Sequence, residues 1–98
     1  MSVYLVSYDF IKEKSGTDPG KPLRDELTRL EGHRVQYSLW LVNVNNTAQE
    51  LCDHLRSFMD QNDRILVSKV RAKEYHWYNA LAGMNEWIKN NPPDPASR

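Results

Sequence analysis

Asp9 is the residue whose position promises chemistry, because it is a lone carboxylate closing the apolar run Val3-Tyr4-Leu5-Val6-Ser7-Tyr8. A run that long and apolar is normally buried while its end is not, so the carboxylate can meet a metal ion, a phosphate-bound cation or a partner subunit. The hard oxygens of a carboxylate suit Mg2+, which keeps several waters and asks for few protein ligands. Two copies of Asp9 brought together by a twofold axis would supply such a site, although close carboxylates also repel and one can hold a proton instead. The plainer role for Asp9 is a turn residue whose side chain accepts from loop amides after the strand. Basic and polar side chains that could meet a phosphate are Lys12, Lys14, Lys21 and Arg24 in and after the following loop, and Arg34, Gln36 and Ser38 further on. The plainer readings are solvated charges for the loop lysines and strand or subunit contacts for Gln36 and Ser38. Tyr8, Tyr37 and Trp40 could stack on bases, but aromatic residues in strands usually serve core or interface.

The elements that would position these groups follow from periodicity. Val3 to Tyr8 alternates Val3, Leu5 and Ser7 against Tyr4, Val6 and Tyr8, a strand signature. Between Ile11 and Pro22 the sequence KEKSGTDPGKP is charged and broken by Gly16, Pro19, Gly20 and Pro22, which suits a mobile loop. It falls short of a nucleotide-binding loop, since its glycines are four apart and Pro22 replaces the required Ser or Thr. Leu23, Leu27 and Leu30 recur at helical spacing after Pro22, and Gly32 is placed to stop that helix in a left-handed conformation. Val35 to Val44 is strand-like, as one strand or a hairpin. Thr47 and Glu50 form a capping box ahead of the apolar stripe Ala48, Leu51, Leu55, Phe58 and Met59. Ile65 to Val70 is a further strand, and Ala80, Leu81, Met84, Trp87 and Ile88 space as a third helix ending near Asn90, with Trp77 and Trp87 expected to pack.

The order strand, helix, strand or hairpin, helix, strand predicts an α+β fold, a ferredoxin-like βαββαβ sandwich with an added C-terminal helix. The expected organisation is one domain over residues 1–90 and a disordered tail over 91–98, where NPPDPASR holds three prolines. Both helices of such a chain lie on one sheet face, and a second subunit is the economical cover for the other, which makes a homodimer the expected state.

Composition narrows the classes. Thirteen basic residues balance thirteen acidic ones among 98, so the footprint of a monomeric nonspecific nucleic-acid binder is absent. Cys52 is the only cysteine, which excludes an internal disulfide and a cysteine zinc cluster and favours a reducing cytoplasmic setting. No apolar run approaches a membrane span, and Met1 leads directly into strand-like sequence rather than a signal segment. His33, His54 and His76 lie on different elements without ligand spacing and read as surface residues.

Three stretches in order, VYLVSYD at 3–9, RVQYSLW at 34–40 and a capped helix leading to DRILVSKV at 63–70, resemble the CRISPR-associated adaptation protein that partners the spacer integrase. The resemblance spans residues 3–70, and Gln36-Tyr37-Ser38 is its most specific part. VapD-type toxin ribonucleases and SinR-like small proteins look like relatives. The resemblance implies a ferredoxin-like homodimer with the first-strand aspartate, here Asp9, near the dimer axis, where family members bind a divalent metal for phosphodiester hydrolysis or act as DNA scaffolds. It therefore implies an Mg2+-dependent endonuclease on RNA or DNA, a noncatalytic scaffold for nucleic acid or a protein partner, or a toxin-type ribonuclease. The chain departs from the family pattern in its longer loop from Phe10 to Pro22, its shorter first helix, and a C-terminal helix where the family often exchanges an extra strand between subunits.

Overall fold

The computed structural model describes residues 1–11 and 18–95, so Lys12 and Lys14 lie outside the described residues. The elements run β1 (Ser2–Asp9), α1 (Lys21–Arg29), β2 (His33–Gln36), β3 (Leu39–Val44), α2 (Ala48–Arg56), β4 (Arg64–Lys69) and α3 (Met84–Asn90). The four strands make an antiparallel sheet in the order β2-β3-β1-β4, which is the ferredoxin-like arrangement plus one C-terminal helix.

Alternation sorts the side chains onto two faces. Tyr4, Val6 and Tyr8 of β1 and Trp40, Val42 and Val44 of β3 point to the helical layer, where Leu23 and Leu27 of α1 and Leu51 and Leu55 of α2 complete the main core. Leucines four apart present one stripe of each short helix, and that burial rather than intrinsic propensity stabilises helices of this length. The Thr47 hydroxyl accepts from the Glu50 amide at 3.1 Å while the Glu50 carboxylate accepts from the Thr47 amide at 2.8 Å, so the expected capping box opens α2.

The end of α1 departs from expectation. Glu31, not Gly32, takes the left-handed conformation, with φ of 59°. The Gly32 amide donates to Leu27 and the Glu31 amide to Thr28, the paired closure that satisfies the last helical carbonyls. Gly32 is required for a different reason: a Cβ there would lie 3.0 Å from the carbonyl oxygens of both Leu27 and Leu41. The helix end passes so close to β3 that a side chain there would have to push these carbonyls aside.

Part of the opposite sheet face, for which a second subunit is the economical cover, is covered by the chain itself. Val3, Val35 and Leu41 are buried there against Met84, with Trp77, Ala80, Trp87 and Ile88 packed around them. The chain's own C-terminal segment therefore covers β2, β3 and the start of β1. The end of β1 at Asp9 and the adjoining part of β4 stay open, and Leu66 is 57% exposed there. α3 is also shorter than its periodicity suggests, since Gly83 at φ of 96° starts it, Ala80 packs from irregular chain, and the Leu81 amide donates to the Val35 carbonyl at 2.9 Å. Trp77 and Trp87 pack on the same cluster but stack on other partners, Tyr75 at 6.0 Å and His33 at 6.3 Å. Over its described residues, the tail read as disordered returns to the sheet: Asp94 bridges to Arg71, and its carboxylate accepts from Ser2 at 2.8 Å and from Lys69 at 2.9 Å.

Candidate functional site

Asp9 is the last residue of β1, exposed, and directly across from Arg64, the first residue of β4. Odd-numbered residues of β1 face away from the helices, so Ser7 and Asp9 share the open half of the sheet with Arg64 and Leu66. A shallow depression of about 140 Å³ is lined by Ser7, Asp9, Arg64 and Leu66 together with Tyr8 and Ile65. Among the described residues the Asp9 carboxylate makes no hydrogen bond and no ion pair, so the turn-capping role has no partner there. The capping falls to Asp63, whose carboxylate accepts from the Ile11 amide at 2.9 Å and the Asp60 amide at 3.0 Å. That pair of bonds fixes the chain just after Asp9 to the loop that enters β4.

The remaining candidates separate into groups. Tyr8 is only 4% exposed, packs on Phe10 at 5.2 Å and accepts at its hydroxyl from Trp40 Nε1 at 3.0 Å, so its ring belongs to the core. Lys21 is held by Asp25 at 2.8 Å, one turn along α1. Arg24 pairs with Asp18, which holds that carboxyl below its usual range and ties the start of α1 to the loop ahead of it. These two cations are occupied with their own helix and loop, away from the open half-sheet.

Arg34, Gln36 and Ser38 converge with Tyr37 on one hairpin. Gln36 is the exposed last residue of β2, while Tyr37 and Ser38 form the turn rather than continuing a strand. The Tyr37 carbonyl accepts from Arg34 at Nε, 3.0 Å, and at Nη2, 2.6 Å. The Ser38 carbonyl accepts from the Tyr8 amide at 3.2 Å, which ties the hairpin tip to the end of β1, one residue before Asp9. The most specific stretch of the sequence thus lies next to the end of β1 in the sheet, with Arg34 opposite Trp40 on the helical face rather than on the face of Asp9.

Sequence reasoning missed one cluster. Glu26, 6% exposed, accepts from Arg29 at 2.6 Å through each carboxylate oxygen and meets His54 Nε2 at 2.5 Å, joining α1 to α2. The Arg29 hydrogen bonds first, and His54 next, hold its carboxyl at about 2 against the opposing effect of burial. His54 is exposed, as its spacing implied, and serves besides as an interhelical partner, whereas His33 is half-buried with an Nε2 that has no hydrogen-bond partner among the described residues. The i,i+3 spacing of Glu26 and Arg29 was a visible signal, whereas His54 is distant in sequence.

A magnesium site needs hard oxygen donors, and Asp9 offers them, but one chain supplies too few. Among the described residues no three His, Cys, Asp or Glu side chains cluster for a metal. The donor type fits; the donor number asks for a second copy or for oxygens from a substrate phosphate. No helix is long and apolar enough to cross a membrane among the described residues. The family model described as CRISPR associated protein Cas2 matches residues 1–76, which takes in all four strands, the hairpin tip and Asp9.

Proposed function

The chain belongs to the CRISPR-associated Cas2 family, and from that premise we propose a nucleic-acid-associated homodimer in which Asp9 of each subunit serves an Mg2+-dependent endonuclease acting on RNA or DNA phosphodiesters. The observation that carries it is the exposed Asp9 carboxylate at the end of β1 on the uncovered half of the sheet. Leu66 stands two residues along β4 from the Arg64 opposite Asp9, and it is 57% exposed on the same face. Burying that apolar surface against a second copy would bring two carboxylates toward one axis, and the dimer gains from it because a chain of this size has a small core.

When bound, Mg2+ would neutralise charge on a phosphate and acidify a water, which is the chemistry a phosphodiester hydrolysis needs. The two Asp9 side chains would hold it. Ser7, on the same face, can donate its hydroxyl to a phosphate oxygen, and Arg64 places a fixed positive charge across from Asp9. Asp63 keeps the chain after Asp9 in place through its bonds to Ile11 and Asp60. This reading places the protein in the cytoplasm with its nucleic acid, alongside a protein partner of the adaptation machinery.

The scaffold reading draws on a specific observation, the presence of Arg64 beside a single carboxylate with no third ligand among the described residues. A site built that way can bind a phosphate backbone without cutting it.

Incubation of the purified protein with single-stranded RNA, single-stranded DNA and duplex DNA, with Mg2+ or with a chelator, separates the two. Metal-dependent cleavage that disappears in Asp9→Ala, with the dimer retained, supports the enzyme. Binding without cleavage in both proteins supports the scaffold, and cleavage that survives Asp9→Ala removes Asp9 from the chemistry.

A further inference from the structure

The C-terminal segment is attached to both faces of the sheet. On the back face α3 buries Met84 against Val3, Val35 and Leu41, and Trp87 Nε1 donates to the Glu31 carbonyl at 3.0 Å. The Asn91 side chain, at the end of α3, accepts from the Asn43 amide group at 3.1 Å, still on that face because Asn43 pairs with Val3. Three residues later Asp94 meets the other side. Its carboxylate accepts from Ser2 at 2.8 Å and from Lys69 at 2.9 Å, and these two pair across the strands with Val44 and Tyr4 of the helical core. Its carbonyl accepts from the Ala72 amide at 2.7 Å. The segment is a strap passing around the end of the sheet where β1 begins.

The crossing is short and stiff. Asn91 and Asp94 are separated by a step of at most about 11 Å, and the two residues between them are Pro92 and Pro93, whose φ is fixed. Motion at one attachment is therefore passed to the other. α3 needs the second attachment, because a helix of seven residues is marginal by itself and Gly83 supplies no side-chain cap. Lys69 first, and Ser2 next, hold the Asp94 carboxyl below its usual range, so the tie favours the charged form that makes it.

The surface under the strap is apolar. Val3, Val35 and Leu41 lie beneath it, with Leu5 and Leu39 packed at its margin. Leu5 also lines, together with Leu66, a depression of about 570 Å³ on the open part of the same face. With the strap lifted, the covered and open parts become one apolar surface, which a second copy offering the same surface can bury through a twofold contact.

We propose that the C-terminal segment is an autoinhibitory strap: closed by Asp94, it withholds the β2–β3 part of the back face from a second copy of the chain, and opening it enlarges the surface that two copies bury. The proposal is independent of the nucleic-acid reading above and of the role given there to Asp9.

The test is hydrogen exchange by mass spectrometry on the full chain, with sedimentation velocity over a concentration series, for the parent, Asp94→Ala and Lys69→Met. Asp94→Ala removes both side-chain bonds of the tie, so exchange of the amides over 84–91 should quicken roughly 10-fold while those of α2 stay as in the parent. Lys69→Met breaks the ion pair from the strand side and should act in the same direction to a lesser degree. In both variants, association at equal concentration should exceed that of the parent. Exchange at the parent rate over 84–91 in Asp94→Ala overturns the tie, and equal quickening in α2 overturns it too, since the whole fold has then loosened. Quickened exchange with association at or below the parent level means that the strap withholds nothing from a second copy, and the proposal falls.

Discussion

Glu26 on α1 and His54 on α2 meet at 2.5 Å, and this contact, with the Arg29 pair on the same carboxylate, is a polar link between the two helices. A nearly buried carboxylate is tolerated there because its oxygens are satisfied.

That arrangement sets a pH dependence. The folded-state carboxyl lies at about 2 and the ordinary value is 4.5, so the link stabilises the protein above about 4.5 and the stabilisation is lost as pH falls from there toward 2. Denaturant midpoints measured from pH 6 downward should fall across that window, by an amount reduced by the solvent around Arg29 and His54. Glu26→Gln should flatten the dependence and destabilise the protein at neutral pH by on the order of 1–3 kcal/mol, because the buried site keeps its donors and loses the charge they pair with.

Asp9→Ala should leave thermal unfolding close to that of the parent, since the side chain is exposed and bonds to nothing among the described residues. The proposed metal-dependent cleavage should fall by at least ~100-fold, because even residues that only orient metal ligands cost ~10–100-fold. Unfolding at a much lower temperature would make Asp9 a structural residue.

The proposed dimer should be lost in Leu66→Glu, read by sedimentation equilibrium against the parent chain, without a lowered unfolding temperature of the monomer. Leu66 is 57% exposed and packs on no buried cluster, so its cost falls on association alone. A dimer that survives the substitution uses another surface.

Gly32→Ala should destabilise by about 1 kcal/mol or more, as the added Cβ would press on two backbone carbonyl oxygens at 3.0 Å and each would have to shift by a few tenths of an ångström. Thr47→Ala should cost ~1 kcal/mol through the lost cap. Urea unfolding of the two variants checks both figures.

Trp87→Ala should uncover the β2–β3 half of the back face and bind a hydrophobic dye, with a loss of ~3 kcal/mol or more, since a packed aromatic is removed along with its Nε1 bond to the Glu31 carbonyl at 3.0 Å. An unchanged unfolding curve would mean that α3 contributes little to the fold.

The order of elements, the sorting of β1 into two faces, the stripes of α1 and α2 and the capping box of α2 were legible in the sequence, because each is a local pattern: a period of two or of 3.6, or a pair of residues three apart. The exposure of Asp9 was legible for the same reason, as the polar end of an apolar run. Tertiary structure alone decided that Glu31 rather than Gly32 turns left-handed, since the constraint on Gly32 comes from β3. It likewise decided that His54 serves Glu26, that the C-terminal segment rather than a second copy covers half of the back face, and that Tyr37 leaves the strand to stand at the hairpin tip. Each of these depends on groups far apart in the chain that meet only after the sheet closes, and no spacing along the sequence encodes which distant neighbour a side chain will find.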